Sequence, residues 1–128
     1  MGLFGKIKSG LDFVAKHLKT KQFKMTAGEL VDVLRLLGYP KGIYVSFKEN
    51  WNQYELESAG WVEDHGRRLV EVWYLVEVDE DEEEVSNPSF VSERERLDPG
   101  REVWIHMSEA KYEELVKKYG DILRKFEV

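Results

Sequence analysis

The first nineteen residues have the spacing of an amphipathic helix. Five apolar residues recur every three or four positions, so at 100° per residue they fall within about 80° of arc: Phe4, Ile7, Leu11, Val14 and Leu18. Leu3 flanks this stripe, and the other faces carry Lys6, Lys8, Lys16 and Lys19. Because Gly5 and Gly10 each weaken a helix by about 1 kcal/mol relative to alanine, we expect this helix to form when its stripe is buried.

Two later segments also have helical spacing. Thr26 is a good N-cap, and Glu29 three residues later completes a capping box, so a helix is predicted from residue 27. Gly38 predicts its end at residue 37. A last helix is predicted to begin after Ser108 and to keep its spacing to the end of the chain, with Gly120 as a point where it kinks or divides.

The central part of the chain alternates between apolar and polar residues, as strands do. Residues 54–63 and 68–78 form two such runs and predict a hairpin. If residues of even number face each other across this hairpin, the connection has an odd number of residues, so we predict a three-residue loop at 64–66. Trp61 and Trp73 are then expected together on the acidic face of the hairpin.

The predicted elements combine into one fold class. Residues 43–47 and 101–106 add two short strands, which gives the order ααβββ-loop-βα and an α+β fold with an antiparallel sheet of about four strands and flanking helices. We divide the chain into a basic amphipathic helix with its linker at residues 1–25 and a single α+β domain at 26–128. Residues 79–100 are predicted to be an acidic flexible loop, because like charges repel. That loop begins with Asp79, Glu80, Asp81, Glu82, Glu83 and Glu84.

Charge is distributed unevenly along the chain. Residues 1–48 carry a net charge of +6, residues 49–104 carry −12, and the last 24 residues are neutral, which gives the total of −6. The asymmetry predicts either that one half binds a partner or that the two halves mask each other.

Composition limits the protein's class. The absence of cysteine excludes disulfides, thiolate metal sites and cysteine nucleophiles. Glu and Lys number 18 and 12, whereas Gln and Asn together number five, a balance reported for hyperthermophiles. We therefore expect a source among thermophilic archaea or their viruses. No apolar run is long enough to span a membrane, so we expect a cytoplasmic protein, with peripheral membrane attachment as an alternative.

The sequence contains no familiar catalytic motif. GxGxxG, P-loop, HExxH and GxSxG patterns are all missing. The three histidines, His17, His65 and His106, fall on different predicted elements, and nothing in the sequence brings them together. We therefore predict that the protein is not an enzyme and that it has no cofactor and no metal site.

These observations lead to a functional hypothesis. We interpret the chain as a small non-enzymatic binding or regulatory protein whose partner is another protein or a second copy of itself. One predicted binding surface is acidic, at residues 79–84. The other is the basic helix, with the candidate residues Leu3, Phe4, Lys6, Ile7, Lys8, Leu11, Val14, Lys16, Leu18 and Lys19.

Three alternatives remain open. Residues 1–24 could attach to an anionic membrane surface, since an apolar stripe flanked by lysines suits a bilayer interface. The acidic surface could mimic nucleic acid and inhibit a basic protein. A cryptic hydrolase or nuclease would need a pocket that joins His106 or His65 to a carboxylate.

Other ligands are disfavoured. A basic cluster around Phe23, formed by Lys16, Lys19, Lys21 and Lys24, could contact phosphates, but the acidic remainder of the domain opposes binding of nucleic acid. No feature of the sequence indicates a small-molecule substrate.

Two short segments resemble known families. Residues 1–6 resemble the N-termini of some ESCRT-III proteins, in which this segment inserts into anionic bilayers. Residues 26–38 resemble the first helix of HicA-type toxins, which cleave RNA. The β-rich remainder differs from the all-helical ESCRT-III pattern, and residues 43–47 lack the Gly-Ser-His segment of those toxins. We therefore assign the chain to neither family.

Overall fold

The structure, a computed structural model, describes residues 20–47, 52–78 and 89–128. They form β1 (Thr20–Thr26), α1 (Ala27–Leu37), β2 (Tyr44–Ser46), β3 (Tyr54–Asp64), β4 (Arg67–Val78), β5 (Ser89–Leu97), β6 (Glu102–Ser108) and α2 (Glu109–Tyr119), followed by a 3₁₀ turn at Arg124–Phe126. The strands make one six-stranded sheet in the order β1-β6-β2-β3-β4-β5. Every neighbouring pair of strands is antiparallel.

The prediction of a four-stranded sheet in the order ααβββ-loop-βα is wrong, although the fold does combine helices with strands. The two additional strands are β1 and β5. Residues 20–25, predicted to be a linker, belong to β1, which pairs with β6 along its whole length. Residues 89–97, predicted to be part of a flexible loop, form β5. The predicted helix at residues 1–19 and the acidic residues 79–84 lie outside the described residues.

The helices and the buried sides of the strands form one core. We call the side of the sheet that carries this core the inner face and the opposite side the outer face. Buried inner-face residues come from all six strands, although β5 contributes only Leu97. α1 contributes most of the helical part, whereas Leu115 is the buried residue of α2. The strand residues include Phe23, Met25, Val45, Ala59, Val70, Val72, Val103, Ile105 and Met107.

The predicted ends of α1 are confirmed. The Thr26 backbone N–H donates to Glu29 Oε1 at 2.9 Å, and the Glu29 backbone N–H donates to Thr26 Oγ1 at 3.1 Å, so both halves of the capping box are present. At the other end, Gly38 has φ 73° and ψ 28°. This left-handed conformation suits glycine and lets the Tyr39 N–H reach Leu34 O at 3.0 Å.

The last helix is shorter than predicted. Its cap is confirmed, because Ser108 Oγ accepts a hydrogen bond from the Lys111 N–H at 3.0 Å. The helix ends at Tyr119, and Gly120, with φ 86° and ψ 176°, turns the chain out of the helix. Gly120 therefore divides the helically spaced segment, and Leu123 beyond it is buried in the core.

The β3–β4 hairpin has a tighter turn than predicted. Asp64 pairs directly with Arg67, so the turn has two residues, His65 and Gly66, at φ 53° and 79°. Positive φ at both central residues is typical of a type I′ turn, whose twist matches that of the strands. The three-residue loop is therefore wrong.

The two-residue turn changes which side chains share a face. Near the turn, residues of odd number on β3 pair with residues of even number on β4, for example Trp61 with Val70. A β-bulge or similar irregularity between Leu56 and Ser58 shifts the register by one residue, so that Leu56 pairs with Tyr74. Trp61 consequently lies on the inner face, where its Cη2 atom is 3.4 Å from where a Cβ on Gly28 would sit. The prediction that Trp61 shares the acidic face with Trp73 is wrong.

Candidate functional site

The residues that the sequence proposes as binding sites fall outside the described structure. Ten of them lie at positions 3–19 and six at positions 79–84, and the structure describes neither segment. Binding through the basic helix and the acidic residues therefore stays a prediction. No helix among the described residues is long and apolar enough to cross a membrane.

The described part of the basic cluster is engaged within the protein. Phe23 is fully buried and stacks on Tyr112 with ring centroids 5.6 Å apart, so it cannot stack on a base. Lys21 Nζ lies 2.8 Å from Glu127 Oε2, and this hydrogen bond raises the pKa of Lys21. Lys24 Nζ lies over the ring of Trp104, 5.6 Å from its centroid.

Two histidines have very different environments. His65 lies in the exposed β3–β4 turn, 2.7 Å from Asp64. His106 is buried, and its Nε2 shares a 2.9 Å hydrogen bond with Ser46 Oγ. Burial lowers the pKa of His106 to about 4, so its ring is neutral at pH 7. Ser46 is also fully buried, so this pair has the spacing of a nucleophile and its base without access to a substrate.

The two best-formed cavities among the described residues include neither His106 nor His65. The larger, of about 460 Å³, is an open groove beside Trp61 and Trp73. The smaller, of about 170 Å³, is lined by aromatic residues together with Glu95 and Arg101. No group of three or more acidic or histidine side chains placed to hold a metal occurs in the described ranges.

The smaller cavity has a packed aromatic floor. The ring centroid of Tyr74 lies 4.9 Å from that of Tyr54 and 5.3 Å from that of Phe47. Because these rings contact one another, they leave no space between them for a cation. The Tyr74 hydroxyl donates to Glu95 Oε1 at 3.0 Å. Burial, assisted by this hydrogen bond, raises the pKa of Tyr74. The cavity therefore combines a closed aromatic floor with one acidic and one basic side chain, Glu95 and Arg101.

The most distinctive feature of the described surface is the outer edge of β5. On one side, β5 pairs with β4 at nine positions, from Val70 opposite Leu97 to Val78 opposite Ser89. On its other side, no strand among residues 20–47, 52–78 and 89–128 pairs with it. Eight of its nine residues are exposed. An unpaired edge of this kind is a template for pairing with another chain.

The opposite edge of the sheet, on β1, is partly covered. Glu127 forms a β-bridge with Phe23, and the Val128 N–H donates to Gln22 O at 3.0 Å. The residues that follow α2 therefore satisfy part of the β1 edge that would otherwise face solvent. The two edges of the sheet thus differ in how much of their backbone is available for pairing with another chain.

Charged side chains anchor β5 to the outer face of β4. Glu71 Oε2 lies 3.1 Å from Arg96 Nε and 3.5 Å from Arg94 Nη1, and Glu71 Oε1 accepts from Trp73 Nε1 at 3.0 Å. Burial alone would raise the pKa of Glu71, but the hydrogen bonds from Arg96 and Trp73, with the charges of both arginines, lower it. The carboxylate thus stays ionised and links the two strands.

Comparison with known proteins assigns no family. No family model matches this chain, and no match is found among curated proteins or solved structures.

Sequence reasoning misses β5 because the strand lacks apolar alternation. Its signal is an alternation of charge sign, with Glu93 and Glu95 on the inner face and Arg94 and Arg96 on the outer face beside Glu71. A run of alternating acid and base next to an acidic strand face could have indicated a strand.

Proposed function

We propose that this protein acts by binding a polypeptide chain rather than by catalysis, and that β5 is its contact strand. The occupant that we favour is β5 of a second copy, which would join two sheets into one. The observation that carries the proposal is a contrast between two edges: no described strand pairs with the outer edge of β5, whereas the edge of β1 is partly covered. Backbone hydrogen bonds along an added strand provide affinity in this mode of recognition.

The first half of β5 has the side chains of an interface. Phe90 is 55% exposed and Val91 is 43% exposed, and Ser89 and Ser92 on either side carry no charge. Edge strands that avoid pairing usually carry charges along their length. In β5 the charges are confined to residues 93–96, so residues 89–92 remain suitable for contact.

Charge restricts how two β5 strands can pair. In an antiparallel pair related by a two-fold axis, a register centred on Glu93 or Arg94 places that residue opposite its own copy, and like charges that face each other are destabilising. A register centred on Ser92 instead places Phe90 opposite Arg94. A register centred on Val91 places Phe90 opposite Ser92. Both of these registers separate like charges and bring the exposed apolar residues into the contact.

The expected complex is weak. A single pair of short strands buries less than the roughly 1,200 Å² that separates stable interfaces from transient ones. We therefore expect a concentration-dependent dimer. It should change little with salt, because the favoured registers contain no intermolecular ion pair. A contact between the basic helix and the acidic residues would weaken as salt rises.

Sedimentation velocity over a range of concentrations tests the proposal. Phe90→Glu should lower the association constant by tenfold or more, because it replaces an apolar contact with a charge. Leu36→Glu is the matched control, since Leu36 is equally exposed, at 54%, but lies on α1 and not on β5. Equal dimer fractions for the two variants, or a wild-type protein that stays monomeric at millimolar concentration, would overturn the proposal.

A disulfide test locates the contact. The chain has no native cysteine, so Ser92→Cys introduces a single thiol. Mild oxidation should give a covalent dimer, because a register centred on Ser92 places the two thiols directly opposite each other. Ser89→Cys is the control, because in that register its two copies are about 20 Å apart along the strands. Faster cross-linking of Ser89→Cys would exclude that register.

A further inference from the structure

The outer face of the sheet contains buried residues that the helices do not cover. Ser46 and His106 are 0% and 4% exposed. The register places them on the outer face, because Val45 and Ile105, their neighbours in sequence, point into the core on the inner face. Both described helices pack on that inner core. The two described helices therefore do not account for this burial, which indicates a further layer of protein over this part of the outer face.

The chemistry of the outer face indicates what that layer must offer. Aromatic side chains, among them Trp73 and Trp104, lie there half-buried. Carboxylates stand between them, and the Oε2 atom of Glu77 is buried and accepts no hydrogen bond from the described residues. A fitting partner would therefore combine an apolar stripe with cationic side chains beside it.

The segment that precedes β1 has these properties. Residues 1–19 carry the predicted stripe from Phe4 to Leu18, with four lysines and one acidic residue. Thr20, the next residue, pairs with Ser108 on β6, and Gln22 pairs with His106, so the segment enters the sheet beside the buried pair. A helix of seventeen residues is about 25 Å long. Six strands about 4.8 Å apart make a sheet about 24 Å wide.

We propose that residues 1–19 dock as an amphipathic helix across the outer face of their own sheet. The stripe faces Trp104 and Trp73, and lysines at its margins approach the outer-face carboxylates. The helix runs from β1 towards β4, so Lys16 lies nearer Trp104 and Lys6 lies nearer Trp73. This docking is independent of the pairing through β5, which uses the edge of the sheet and not its face.

Paramagnetic NMR on the full chain tests the docking. A nitroxide on the single thiol of Lys16→Cys should broaden the indole N–H signal of Trp104 most strongly, and a nitroxide on Lys6→Cys should broaden that of Trp73. Trp61 is the internal control, because it lies on the inner face against α1. Its signal should keep its intensity in both samples.

Two substitutions distinguish docking through the stripe from chance proximity. Leu11→Glu, added to the Lys16→Cys protein, should restore the Trp104 signal, because it places a charge in the apolar stripe. Ser9→Glu adds the same charge on the opposite side of the predicted helix and should leave the broadening unchanged.

Three results would overturn the proposal. The first is full intensity at both Trp104 and Trp73 with either label. The second is equal broadening in the Leu11→Glu and Ser9→Glu proteins. The third is broadening that occurs only between molecules, when spin-labelled protein without ¹⁵N is mixed with unlabelled ¹⁵N protein, because the segment would then belong to a neighbouring copy.

Discussion

Two parts of the same sheet are stabilised in different ways. β1 and β6 are the strands that both helices contact, and their inner-face residues, such as Phe23, Val103 and Ile105, are 0–2% exposed. β5, at the other end, is almost entirely exposed and pairs only with β4 among the described elements. Apolar burial fixes the first part, whereas backbone pairing and cross-strand charges fix the second.

The difference predicts unequal stability. Burying one large apolar side chain contributes about 1.5–3 kcal/mol, whereas an exposed ion pair contributes about 0–1 kcal/mol. The β5 end should therefore open locally more often than the part under the helices. A strand that serves as a contact surface can tolerate this, because pairing with another chain would add the missing backbone hydrogen bonds.

The sharpest test of the comparison uses one residue type in both parts. Phe23→Ala should lower the free energy of unfolding by about 3–5 kcal/mol, because it leaves a cavity in the core. Phe90→Ala should change it by no more than about 0.5 kcal/mol, because Phe90 is 55% exposed. Urea denaturation of dilute protein measures both values. Similar losses would show that β5 contributes to the core as fully as β1 does.

A pH experiment examines only the part of the sheet that contains the buried His106. His106 has a pKa of about 4 when folded, below its ordinary value of 6.5, so the unfolded chain takes up a proton first as the pH falls. Its contribution to stability is complete above pH 6.5 and decreases through the window down to pH 4. The full loss is about 3 kcal/mol.

The control for this effect is the exposed histidine. Urea denaturation at pH 7 and pH 4.5 should show a smaller pH dependence for His106→Gln than for the wild-type protein. His65→Gln should retain the wild-type dependence, since His65 lies in the solvent-exposed turn. If both variants behave alike, the burial of His106 does not govern stability in this pH range.

The smallest expected effect concerns the charges that hold β5. A double-mutant cycle on Glu71 and Arg96, with Glu71→Gln and Arg96→Gln, should give a coupling energy of about 0.5–1 kcal/mol. Added salt should reduce it, because Arg96 is 38% exposed. The same cycle on Lys111 and Glu114, an ion pair within α2, is the comparison. A coupling of zero for Glu71 and Arg96 would leave backbone pairing as the main support of β5.

The elements that could be predicted are those whose signals are local. Thr26 and Glu29 define the start of α1 because a capping box is complete within four residues. Gly38 likewise marks its end, and Ser108 marks the start of α2. In these cases the residues that decide the structure are adjacent in sequence.

The elements that could not be predicted depend on distant partners. β1 is short, and its apolar residues Phe23 and Met25 stand among lysines, so it becomes recognisable only when β6 is beside it. β5 requires the neighbouring β4 and its Glu71. The hairpin register depends on a non-glycine residue, His65, at positive φ and on a compensating irregularity eight residues earlier. The candidate contact edge follows from the sheet order, which no single segment encodes.

The contact of Val128 and Glu127 with β1 has a consequence for assembly. A sheet that is open at both edges can add copies without limit and so grow into a fibre. Here the residues after α2 occupy the middle of the β1 edge and obstruct pairing there, whereas no described strand pairs with the outer edge of β5. If two copies pair through β5, the dimer uses that edge in both copies, and assembly stops at the dimer.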